Sequence, residues 1–110
     1  MRTDQAKGAW TRLIDALEAF LRGNAGVVET SRAVVAMRAH LGEEQNELFY
    51  PFVNVDDEAL SFPIGDVRAK WSERGLLGVD AERSTVEEFY GAGIVAASEA
   101  LLSYAKSHAP

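Results

Sequence analysis

The 110-residue chain contains no cysteine. That absence removes disulfides, thiolate nucleophiles, iron-sulfur ligation and cysteine-based zinc sites together, and it fits a reducing compartment, so a cytoplasmic location is the expectation. Long apolar runs are also missing. The opening Met1-Arg2-Thr3-Asp4-Gln5 is polar, and Asp15, Glu18 and Arg22 interrupt the next stretch of chain, so neither a signal peptide nor a membrane partner is expected. There is no Gly-x-Ser-x-Gly to mark a hydrolase nucleophile and no Glu-x-x-His to mark a di-iron bundle. Gly91-Ala92-Gly93-Ile94-Val95-Ala96 does spell G-x-G-x-x-A, but that string cradles a dinucleotide only where a strand turns into a helix. Here Val86 to Tyr90 already reads as helix, so the amides are consumed by the helical ladder and close helix packing is the better explanation.

Positive charge is the most unevenly distributed shortage. The net charge is -6, yet residues 1–42 sum to +2 and residues 67–110 to -1, so residues 43–66 carry the imbalance with seven carboxylates and no Lys or Arg. Such a segment repels phosphate backbones, which argues against a nucleic-acid partner, and attracts a basic protein surface. A solvated loop that keeps the protein soluble is the plainer explanation of the same charges.

What the chain does have is ordinary globular composition, 47% hydrophobic and 25% charged, in a length that suits one domain spanning residues 1–110. From Asp4 to Leu21, the residues Trp10, Leu13, Ile14, Leu17, Phe20 and Leu21 recur at three- and four-residue steps, predicting a helix capped by Thr3 or Asp4 and ended at Gly23-Asn24. Gly26 leads into a second pattern, Val27, Val28, Ser31, Val34, Val35 and Leu41, with Gly42 as its stop. The strongest periodicity runs from Val79 onward through Val86, Tyr90, Gly93, Ala97, Ala100 and Tyr104, with Arg83 as a polar interruption and Phe89, Ile94 and Leu101 widening the face. Ser84-Thr85-Val86-Glu87 spells a capping box, so the continuous helix is expected to begin near Thr85. The fold class predicted is all-α: two N-terminal helices and one long C-terminal helix in a bundle, with an irregular, acidic, aromatic-rich excursion over residues 43–78.

That excursion is punctuated by Pro51, Pro63, Gly65, Gly75 and Gly78 and holds five of the ten aromatic residues, so its rings should cover something. Phe52 to Val55 could be extended and Asp66 to Trp71 a short helix. Within it Arg68 is expected to pair with Asp56 or Asp57 beneath Trp71, either fixing the loop or, left open, forming a recognition patch. The candidate binding residues are Glu43, Glu44, Glu47, Tyr50, Asp56, Asp57, Arg68 and Trp71. No catalytic or metal-ligating residue and no cofactor is assigned. His40 could share a face with Glu43 and Glu44 only if its helix ran through Gly42, and Asp56-Asp57-Glu58 lacks the alternate spacing of a calcium loop.

Leu21-Arg22-Gly23, Phe52-Val53-Asn54-Val55-Asp56, Phe62-Pro63-Ile64-Gly65-Asp66-Val67-Arg68-Ala69-Lys70-Trp71 and Glu88-Phe89-Tyr90 together resemble a family of short bacterial proteins classed as a domain of unknown function. The resemblance covers most residues after Leu17. It implies a bacterial origin and a helical fold, and no substrate, cofactor or catalytic residue. Some similar small acidic bacterial proteins are immunity partners that neutralise a toxin. Three function classes remain. The first is a non-catalytic interaction module, immunity or antitoxin-like, that neutralises a basic partner. The second is a small-ligand or enzyme domain with a pocket between the excursion and the bundle. The third is a homo-oligomer formed through Gly91, Gly93 and Ala97.

Overall fold

The structure, a computed structural model, describes residues 2–63 and 65–108. Four helices follow one another: α1 (Arg2–Leu21), α2 (Val27–His40), α3 (Tyr50–Glu58) and α4 (Glu73–His108). Short 3₁₀ turns at Glu47–Phe49 and Gly65–Lys70 precede α3 and α4. Among the described residues there is no strand.

The first two helices end alike because glycine supplies the left-handed residue that each stop requires. Gly23 has φ +82° and Gly42 has φ +67°. At the first stop Asn24 N–H donates to Ala19 O and Gly23 N–H to Phe20 O; at the second Glu43 N–H donates to Arg38 O and Gly42 N–H to Ala39 O. Each pair of bonds is a Schellman motif that satisfies carbonyls a helix end would leave orphaned. Gly26, extended at the N-cap of α2, sits close to α4: a Cβ there would meet the Glu87 carboxylate at 3.0 Å, so a larger residue would have to displace that side chain.

Residues 43–78 are more regular than the sequence suggests. Phe52 to Val55 is helical, lying inside α3, and α4 begins at Glu73, well ahead of Val79 or Thr85. Pro51 marks the start of α3 and does not break it, because a first-turn residue donates no intrahelical bond. Gly75 and Gly78 lie within the first turns of α4, and Thr85 caps nothing: its hydroxyl donates back to Ala81 O. Thr3 and Asp4 likewise lie inside α1, which begins at Arg2.

Helix α2 packs against α1, α3 and α4, and α4 in turn packs against α1 and α3, an all-α bundle with α2 and α4 at its centre. Leu13, Leu17, Val28, Val34, Phe49, Phe52, Val55, Ile94 and Leu101 fill the core and are fully or almost fully buried. The inward face of α4 drifts away from the expected stripe. It runs Tyr90, Ile94, Ala97, Ser98, Leu101, Ala105, while Phe89, Gly93 and Ala100 turn outward. No helix among the described residues is long and apolar enough to cross a membrane.

Candidate functional site

Three of the excursion's charged residues, Glu43, Asp56 and Arg68, are held by partners outside it. Asp56 faces Arg32 of α2, with Nε 3.4 Å from Oδ1, and the Arg32 guanidinium also donates to Ala59 O at the C-terminal end of α3. Arg68 pairs with neither Asp56 nor Asp57. It makes a two-pronged contact with Asp80 of α4, Nη1 to Oδ1 and Nη2 to Oδ2 both at 2.8 Å, and donates to Pro63 O at 3.4 Å. The Arg68 hydrogen bonds hold the Asp80 carboxyl below its usual range and raise Arg68 above its own. Sequence spacing could not supply this pairing, since it depends on α4 starting early enough to place Asp80 on its first turns. Trp71 is 38% exposed and lies over Gly75, so it does not shield an ion pair with Asp56 or Asp57.

Glu43 is committed to the fold. It accepts from the Tyr104 hydroxyl at 3.0 Å and from Asn46 Nδ2 at 2.9 Å. Burial, and then the Glu43 carboxylate, push the Tyr104 phenol above its ordinary value. Tyr104 in turn stacks on His108, ring centroids 3.9 Å apart, with Trp10 alongside at 6.0 Å. His40 ends α2, and the helix stops at Gly42 before reaching Glu43. Among the described residues no three His, Asp or Glu side chains gather into a possible metal site. Of the remaining candidates Glu44, Glu47 and Asp57 are exposed, and Tyr50 is 43% exposed at the start of α3. The structure therefore divides the eight: Glu43, Asp56 and Arg68 tie elements together, Trp71 leans on Gly75 in the first turn of α4, and the other four remain open to solvent.

Pro51 and Asn54, three residues apart on one side of α3, border a pocket between α3 and α4. It has a volume of about 260 Å³ and is lined by Pro51 and Asn54 of α3 and by Phe89, Tyr90, Gly93 and Ile94 of α4. Phe89, expected to help bury the face of α4, is 78% exposed and packs edge-on against Tyr90, ring centroids 4.9 Å apart. Burial raises the Tyr90 phenol, helped by a hydrogen bond and charge from Glu58 at the end of α3, so a carboxylate stands at the rim. The charge pattern extends beyond residues 43–66. Residues 84–105, which supply the α4 side, add three carboxylates and again no Lys or Arg, so the two segments that build the pocket hold ten carboxylates and no cation of their own. Arg32 and Arg83 reach in to Asp56 and Glu87 respectively, while Asp57, Glu58, Glu88 and Glu99 stay exposed. That second cation-free run was the available sequence signal.

Gly91 and Gly93 do not serve close packing within the chain: a Cβ added to either would meet nothing within 4 Å. At both positions α4 is thus open where a neighbouring helix was expected. No family model, curated protein or solved structure matches the chain.

Proposed function

We propose that the protein is a non-catalytic interaction module that binds a basic partner protein through the α3–α4 face, with immunity- or antitoxin-like neutralisation as its most concrete form. The observation that carries this reading is Phe89, a large aromatic left 78% exposed beside an apolar pocket, on a face whose own segments contain no cation. An exposed ring in an apolar depression surrounded by same-sign charge is the composition of a contact surface: anchor at the centre, charge at the rim. A metabolite site is less well supported. The pocket is smaller than the roughly 300–1,000 Å³ usual for small-molecule sites, and its lining includes no carboxylate, Lys, Arg or His. The carboxylate with a displaced pKa, Asp80, belongs to the Arg68 pair and does not line the pocket.

The test is co-purification with tagged wild-type and Phe89→Ala protein from the source cells at low and high salt. A basic partner retained at low salt, released by salt and lost with Phe89→Ala is the expected result. A partner that is acidic, indifferent to salt or equally well held by Phe89→Ala would overturn the proposal.

A further inference from the structure

The pocket's surroundings also restrict the form of the segment that can enter it. Every element bordering it is helical, and no strand edge exists among the described residues. A fully extended peptide buried there would find no backbone partner for its own N–H and C=O groups; a helix satisfies them internally. From the pocket, Gly93, Ala96 and Ala100 continue along α4 as an exposed track of small side chains over seven residues, about 10 Å of helix. Their spacing matches the i, i+3/i+4, i+7 positions through which a second helix would lie alongside. The pocket volume of about 260 Å³ has room for one or two large apolar side chains. Asp57 and Glu58 at the end of α3, with Glu88 and Glu99 on α4, are exposed, and the segments that carry them, residues 43–66 and 84–105, contain no Lys or Arg. A second copy of the chain would bring that charge against itself across a two-fold axis, so charge complementarity favours a foreign, cationic occupant.

Resting on the proposed binding of a basic partner, we infer that the α3–α4 groove receives a cationic amphipathic helix, one large apolar side chain of which enters the pocket beside Phe89 while its Lys or Arg residues face Asp57, Glu58, Glu88 and Glu99. The partner is a helical segment read through one anchor, and its charges set orientation and rate of encounter more than affinity.

The probe is a peptide of about 18 residues made of Leu and Lys at helical spacing, fluorescently labelled and titrated by anisotropy against the full chain. Three comparison peptides accompany it: one of equal composition with two central prolines, a Leu/Glu helix, and a Pro/Arg repeat that adopts polyproline II. The helical Leu/Lys peptide is expected to bind in the micromolar range, and Phe89→Ala and Gly93→Leu each to weaken it at least tenfold with net charge and circular dichroism unchanged. Gly93→Leu fills the pocket without requiring a new fold, so it decides the matter if Phe89→Ala is poorly behaved. Equal or tighter binding of the proline-broken or Pro/Arg peptide would overturn the helical occupant and leave the basic-partner reading standing. Indifference to both substitutions would remove the groove as the site. Failure of every cationic peptide to bind would count against both proposals. A concentration-dependent dimer abolished by Gly93→Leu would assign the groove to a second copy and overturn the inference.

Discussion

Replacing Gly91 and Gly93 by alanine, singly and together, is expected to raise the stability of the protein. Both residues lie well inside α4, where glycine costs about 0.5–1 kcal/mol relative to alanine through the greater freedom of the unfolded chain. The usual reason to retain glycine in a helix is a neighbour too close for a Cβ, and here an added Cβ meets no atom within 4 Å at either position. Nothing in the folded chain offsets the gain. The two positions do not share a helix face, so their effects should add, giving about 1–2 kcal/mol for the double variant. For a domain of this size that corresponds to a rise in Tm of roughly 4–8 °C. Urea and thermal unfolding followed by circular dichroism at 222 nm would measure it. An unchanged or lowered midpoint would mean that the space beside Gly91 or Gly93 is occupied in the free protein, contrary to the open surroundings of both.

Four further expectations rest on particular contacts. Phe52→Ala, which removes a fully buried ring between α3 and the core, should cost about 3–5 kcal/mol and unfold a large fraction of the protein at 37 °C, as seen by circular dichroism. Asp80 has its pKa depressed by Arg68, so the contribution of this pair is present above the ordinary carboxylate range and is lost as pH falls below about 4; Asp80→Asn should flatten that acid limb in urea titrations between about pH 3 and 7. Tyr104 has its pKa raised by burial and by Glu43, so its contribution is full below about pH 10 and is lost as pH rises through the elevated value; Tyr104→Phe should remove this alkaline loss and, at neutral pH, cost about 1 kcal/mol for the missing hydrogen bond. Arg32→Ala should destabilise by about 1–3 kcal/mol in chemical denaturation, because it strips the Ala59 carbonyl and the part-buried Asp56 of their cation.

The course of the bundle can be read from the sequence where local chemistry and burial agree. Gly23 and Gly42 stop their helices in the left-handed backbone conformation that glycine, unlike other residues, adopts freely, and Trp10, Leu13 and Leu17 face inward at the spacing that predicts it. The middle segment misleads because its signals compete. Pro51 suggests a break but is compatible with a first helical turn, and Phe52 and Val55 form too short an inward pattern to stand out beside it. The same holds for Glu73 to Thr85, where no residue is fully buried: the helix is held at its margins by Arg68–Asp80 and by Arg83, which bonds both Glu29 and Glu87. Such pairings join residues far apart in sequence and leave no periodic trace. Phe89 is the most consequential case. A helical stripe wide enough to include it also includes Tyr90, and sequence alone gives no reason to turn one ring outward; the structure does so because the inward track from Tyr90 passes through Ile94 and Ser98 to Leu101. Of the acidic candidates, those whose side chains tie helices together and those left free were indistinguishable by charge, since the difference lies in whether Arg32 or Tyr104 reaches them.

The central claim, that the α3–α4 face is the contact surface, is tested most directly by a ¹⁵N chemical-shift titration of the labelled protein with the helical Leu/Lys peptide. Perturbed amides are predicted to cluster at residues 50–58 and 88–100, leaving α1 unmoved. Shifts centred on α1 or on residues 65–80, with the Phe89 and Gly93 amides unaffected, would contradict it.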